Sequence, residues 1–144
     1  MKVAIASDHA GFALLALVKS TLESDGHTVI DLGPKSAERV DYPDYADKVA
    51  RAVVDGSVER GVLVCGSGIG MAIAANRHPT VRAANCTIEY QAEMCRRHND
   101  ANVLCLGERV VGPGVAESLV RVFMKAPFDG GRHQDRVHKL SRPA

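Results

Sequence analysis

The sequence predicts an α/β fold: a three-layer, doubly wound sheet of five parallel strands, Rossmann- or flavodoxin-like, with a basic helical tail. Three observations carry that expectation. Five short apolar runs, rich in β-branched residues, stand where buried parallel strands are expected. Segments of helical spacing separate them, and strand–helix alternation of this kind means a parallel sheet covered on both faces. Between the third run and its helix lies Cys65-Gly66-Ser67-Gly68-Ile69-Gly70, a glycine-rich strand-to-helix turn.

Taken in order, 3–6 is the first strand and ends at Ser7-Asp8-His9. Apolar residues at 12, 14, 15, 18 and 22 repeat with a helical period, and Gly26 closes that helix. A second strand covers 28–32, and a polar loop runs over 33–41. Pro43 fits a helix's first turn, so a helix is expected over 45–54. Strand three is 62–64, and 71–76 is a helix of strong formers. Pro79 breaks the chain before a short fourth strand at 81–84. A fourth helix at 88–97, a fifth strand at 102–106 and a fifth helix at 115–125 follow. The remainder, 126–144, is polar and rich in Arg, His and Lys.

At 144 residues the expectation is one domain over 1–144. A formal net charge of +1 and the absence of Trp argue against nucleic-acid binding. The apolar runs are too short to span a bilayer, and Asp8 interrupts the first, so neither a membrane segment nor a leader is expected. Cys65, Cys86, Cys95 and Cys105 show no C-x-x-C or zinc spacing. They read as reduced thiols of a cytoplasmic protein, with no metal.

The glycine turn points to chemistry. Glycines let backbone N–H groups face a common space, and a helix N-terminus adds partial positive charge. Cys65 at the strand end would lose its proton more easily there. A base or nucleophile beside N–H donors suits a reaction that passes through an oxyanion. The plainer alternatives are a phosphate-binding turn and a small buried thiol. The turn is neither a Walker loop nor a dinucleotide fingerprint. If strands one and three are neighbours, Asp8 and His9 converge on Cys65, although Asp8 would serve equally as a helix cap. His98-Asn99-Asp100 ends the fourth helix, where His is favoured in any case. Arg132 and Arg136, four apart, would share a helical face suited to a phosphate, or form a solvated basic tail. His27, His78 and His138 read as surface residues.

Five segments together carry a family likeness: Ser7-Asp8-His9-Ala10-Gly11; Glu38-Arg39-Val40-Asp41-Tyr42-Pro43; Cys65-Gly66-Ser67-Gly68-Ile69-Gly70; Arg97-His98-Asn99-Asp100 with Asn102-Val103; and Gly130-Gly131-Arg132-His133-Gln134-Asp135-Arg136-Val137. In one register, from about residue 2 to 137, the chain closely resembles the type B ribose-5-phosphate isomerases. The wider family includes allose- and galactose-6-phosphate isomerases. The resemblance implies aldose–ketose isomerisation of a sugar phosphate with no metal or organic cofactor. It implies that Cys65 moves a proton between C1 and C2, and that the amides of Gly66, Gly68, Ile69 and Gly70, with Ser67, hold the enediolate oxygen. His98 and Asp8 become the ring-opening pair, and Asn99 and Tyr42 the hydroxyl ligands. His9, Arg109, Arg132 and Arg136 become the phosphate cradle. Some members use a Glu just after the turn instead of this cysteine. Met71 stands there in this chain, which places it with the cysteine branch. Ser67 replaces a Thr found in some members and keeps the hydroxyl.

Topology adds one expectation. His98 precedes strand five and so sits at the amino edge of the sheet, whereas Cys65 sits at the carboxyl edge. A strand of about five residues is roughly 17 Å long. If both act on one sugar, a second subunit must supply His98, which implies a homodimer or a dimer of dimers with shared sites.

Overall fold

A computed structural model describes residues 1–142. Pro143 and Ala144, the last residues of the expected tail, lie outside the described residues. The strands are β1 (Lys2–Ser7), β2 (Thr28–Asp31), β3 (Arg60–Cys65), β4 (Ala83–Asn85) and β5 (Val103–Gly107). The helices are α1 (Phe12–Ser24), α2 (Tyr42–Val54), α3 (Ile69–Ala75), α4 (Glu89–Arg97), α5 (Pro113–Lys125) and α6 (Arg132–Leu140). A 3-10 turn, His9–Gly11, joins β1 to α1. No helix among the described residues is long and apolar enough to cross a membrane.

All strand pairs are parallel, in the order β2-β1-β3-β5-β4. The doubly wound expectation holds, with one departure from the flavodoxin order 2-1-3-4-5. The last two strands are exchanged. The physical reason lies in their composition. Val103-Leu104-Cys105-Leu106-Gly107 is fully buried and takes the inner place, while Ala83-Ala84-Asn85 is three residues long and half-buried. A short, partly polar strand belongs at an edge.

Alternate residues of the central strands feed two cores. Val3, Ile5, Val62, Val64, Leu104 and Leu106 pack under α1, α4 and α5 around Phe123. Ala4, Ala6, Leu63, Cys65, Val103 and Cys105 pack under α2 and α3 with Val49 and Met71. The period of two is what buries both faces of a parallel strand.

The expected strands and helices all form, with shifted ends. β3 includes Cys65 as its last residue, and β4 starts two residues later than expected. α2 starts at Tyr42 rather than 45, with Pro43 in its first turn. Pro pre-sets the helical φ there without losing a needed donor. α3 starts at Ile69 rather than 71, because Gly68 takes φ +80° and turns the chain within one residue.

Candidate active site

The order β2-β1-β3 reverses chain direction across the sheet between β1 and β3, and ligands bind at such switch points beyond the carboxyl ends. A cavity of about 400 Å³ opens there. Asp8, His9, Tyr42, Cys65, Ser67 and Arg109 line it, together with Ala10, Gly66, Gly70 and Val110. Eight of the residues singled out in the sequence thus meet in one place.

Cys65 is 5% exposed, and its Sγ accepts the Gly68 N–H at 3.1 Å. A donor therefore already faces the sulfur. This corrects the expected bowl of free amides: the Gly68 N–H serves Cys65, and the Ile69 N–H bonds Ser67 Oγ at 3.2 Å. Gly70 and Met71 follow in the first turn of α3, where N–H groups have no intrahelical partner. The Tyr42 ring lies against Gly70: a Cβ there would meet ring carbons at 3.0 Å. Ile69, expected among the substrate contacts, is 56% exposed and does not line the cavity.

Asp8 is buried, and its Oδ1 accepts the N–H groups of Ala10 at 2.9 Å and Gly11 at 3.1 Å. The capping role considered from sequence is real. Both bonds go to one oxygen, so Oδ2 keeps its lone pairs for the cavity that Asp8 lines. His9 Nδ1 lies 3.2 Å from Val40 O and 3.3 Å from Val40 N, which ties the 33–41 loop to the site. Arg109 follows β5 and is held by its own N–H on Gly66 O at 3.0 Å. Glu108, which the sequence did not single out, accepts the Leu14 N–H at 2.9 Å and ties the end of β5 to the start of α1. No local pattern marks it, since its partner is 94 residues away.

His98, Asn99, Arg132 and Arg136 do not reach this cavity. His98 caps the C-terminus of α4 at the amino edge, as topology required. Its ring stacks on His133 of α6, with centroids 4.3 Å apart and planes at 12°. Arg97 fastens α4 to the segment before α6 through Asp129 at 3.1 Å, and Asp129 N–H returns to Arg97 O at 2.9 Å. His133 is buried, and that burial, then the His98 ring and the Arg132 and Arg136 charges, hold its pKa below the usual histidine range. His98, Asp129 and His133 each offer one atom within 4.8 Å of the others, a spacing a metal could use. Arg97 already bonds both oxygens of Asp129, and Arg132 and Arg136 flank His133. That surrounding charge favours an anion over a cation.

Two separate groups of residues result: a cavity with Cys65 at the carboxyl edge, and a His–Arg cluster at the amino edge. Residues 3–140 match the family model described as Ribose/Galactose Isomerase. The chain belongs to this family. Ribose-5-phosphate isomerase B of Escherichia coli is 46% identical over 140 residues, covering 97% of this chain and 94% of the relative. A solved ribose-5-phosphate isomerase B from Clostridium thermocellum superposes with a TM-score of 0.97 at 50% identity, covering 98% of this chain and 95% of that one. A Mycoplasma genitalium structure, described with bound ribulose-5-phosphate, has a TM-score of 0.94 at 41% identity and covers 97% and 93% of the two chains. This member of the ribose/galactose isomerase family is a sugar-phosphate isomerase.

Proposed function

We propose that this chain interconverts ribose 5-phosphate and ribulose 5-phosphate through a cis-enediolate, with Cys65 as the base. The observation that carries the reading is the Cys65 sulfur, held by the Gly68 N–H inside the switch-point cavity beside Asp8. Likeness to a relative described with ribulose-5-phosphate supports the choice of sugar. A proton next to a carbonyl is a weak acid, so removing it needs both a positioned base and support for the developing oxyanion. A positioned base contributes roughly 10²–10⁴ in rate, and one oxyanion donor about 3–4 kcal/mol. Cys65 takes the C2 proton of the aldose and returns it to C1. The Gly66–Gly70 turn with Ser67 supports the enediolate oxygen, and the open amides at the start of α3 are its donors.

The phosphate belongs to His9 and Arg109 of one chain and to Arg132 and Arg136 of another. Tyr42 and Asn99 hold hydroxyls, and Asp8 with His98 opens the ring. The geometry supports this division, since a side chain at the amino edge cannot span a strand of roughly 17 Å. A second copy of the chain closes the site. Val110, which lines the cavity, is 55% exposed, and Ile69 and Ile73 of α3 are 56% and 62% exposed, large apolar side chains that a second copy would cover.

Incubation with ribose 5-phosphate should yield ketose, and Cys65→Ala should lower turnover by several orders of magnitude with the fold intact. Allose 6-phosphate and galactose 6-phosphate, assayed in parallel, should turn over more slowly. Near-normal turnover by Cys65→Ala would remove Cys65 as the base, and a preference for a hexose would overturn the choice of sugar.

A further inference from the structure

Two thiols take no part in the chemistry above. Cys86 follows β4, and Cys95 lies in the last turn of α4. Their Sγ atoms are 4.0 Å apart, with Cys86 aimed at Cys95. A disulfide needs about 2.05 Å, so closure requires a displacement of about 2 Å. Cys86 is 1% exposed and Cys95 9%. Cys95 is nonetheless reachable, because a second cavity of about 400 Å³ opens onto it between Asn76, Arg82, Asn99 and Leu140. The Cys86 hydrogen bond, against the opposing effect of burial and with the Arg96 and Arg60 charges, holds the Cys95 thiol below its usual range. Cys86, the donor, is pushed up. An approachable thiol in positive surroundings, with a second thiol behind it, is the arrangement of an oxidation-sensitive pair. Cys105 lacks it: burial, then Cys65, push its thiol up.

We propose that Cys86 and Cys95 form a reversible disulfide on exposure to hydrogen peroxide, and that closure shifts the end of α4 and slows the isomerase. The Cys95 thiolate attacks the peroxide. An S–O bond forms, the O–O bond breaks, and the departing hydroxide takes up the thiol's former proton as water. The Cys86 sulfur then displaces hydroxide from Cys95. The S–S bond forms, the S–O bond breaks, and the Cys86 proton leaves with that hydroxide as a second water. Two thiols are oxidised by two electrons and one peroxide is reduced.

The effect on activity rests on reading His98 and Asn99 as substrate contacts. Cys95 is three residues before His98, and Asn99 lines the same cavity. Arg96, between them, is anchored to Asp100 Oδ1 at 2.8 Å and to Ala101 O at 2.6 Å. A pull on Cys95 is therefore passed along the helix end. A misplacement of about 1 Å can cost on the order of a hundredfold in rate.

The test is peroxide treatment of the whole protein, then alkylation and trypsin. Cleavage after Arg82 and Arg96 leaves both cysteines in one peptide, 83–96. That peptide should emerge two hydrogens lighter and unalkylated, and dithiothreitol should reverse the change. Turnover should fall roughly ten- to a hundredfold with the disulfide and return with dithiothreitol. Cys95→Ala should keep most of its activity under the same treatment, which separates this pair from oxidation of Cys65. If both thiols remain open to alkylation, the disulfide is refuted without reference to any activity. If the disulfide forms and turnover is unchanged, the coupling to α4 is refuted. A protein inactive on ribose 5-phosphate would still report the disulfide by mass, so failure of the functional reading stays distinguishable.

Discussion

Gly68→Ala tests whether the turn, and not Cys65 alone, makes the site. Gly68 has φ +80° and ψ −16°. An alanine there incurs about 1–3 kcal/mol of backbone strain. Its Cβ would lie 2.4 Å from Asn85 Oδ1 and 3.0 Å from the Leu106 carbonyl carbon. The Asn85 side chain can swing away, but the β5 backbone is fixed between two ladders. Overpacking of that kind adds about 1–3 kcal/mol. The expected loss of stability is therefore about 2–6 kcal/mol. The turn must also retreat from β5, which pulls the Gly68 N–H off the Cys65 sulfur. A shift near 1 Å lowers kcat/KM by roughly a hundredfold. Gly114→Ala is the control. Nothing lies within 4 Å of its added Cβ, and it sits in the first turn of α5. It should gain about 0.4–1 kcal/mol and leave turnover unchanged. Urea unfolding gives the stabilities, and initial rates with ribose 5-phosphate give kcat/KM. If Gly68→Ala matches Gly114→Ala in both, the argument for the strained turn is wrong.

Arg132→Ala or Arg136→Ala should weaken binding of ribose 5-phosphate by roughly 10–150-fold, the loss of one charge-assisted hydrogen bond of about 1.5–3 kcal/mol; equal losses with unphosphorylated ribose would refute the phosphate assignment. Refolding Cys65→Ala with His98→Asn should restore about a quarter of wild-type activity, because random pairing makes half the dimers mixed and each mixed dimer has one intact site of two; mixed dimers that stay inactive would refute the shared site. His133, whose pKa is lowered on folding, contributes stability that is complete above its unfolded value of about 6.5 and declines as pH falls below it toward the folded value. Melting temperatures from pH 8 to 5 should show that decline, and His133→Asn should flatten it; parallel curves for both proteins would refute burial as the cause.

The strands and the meeting of Asp8, His9 and Cys65 were legible because each rests on local information. An apolar run marks a buried parallel strand, and its last residue marks where a ligand binds. The exchange of β4 and β5 was not legible from alternation alone, although the half-polar Ala83-Ala84-Asn85 hinted at an edge. Bonds between distant segments left no pattern: Glu108 to Leu14 spans 94 positions, and the His98–His133 stack joins α4 to α6. Whether Asp8 caps a helix or also takes part in chemistry could not be decided from sequence, since both roles ask for the same carboxylate at the same place. The separation of His98 from Cys65 was legible for a different reason. In a parallel sheet every strand starts at one edge and ends at the other, so a residue just before β5 and a residue at the end of β3 are kept apart by the strand itself. No rotamer change closes that gap. If His98 and Cys65 act on one sugar, as proposed above, strand direction alone calls for a second chain, whereas no single-chain pattern encodes what covers the exposed Ile69, Ile73 and Val110.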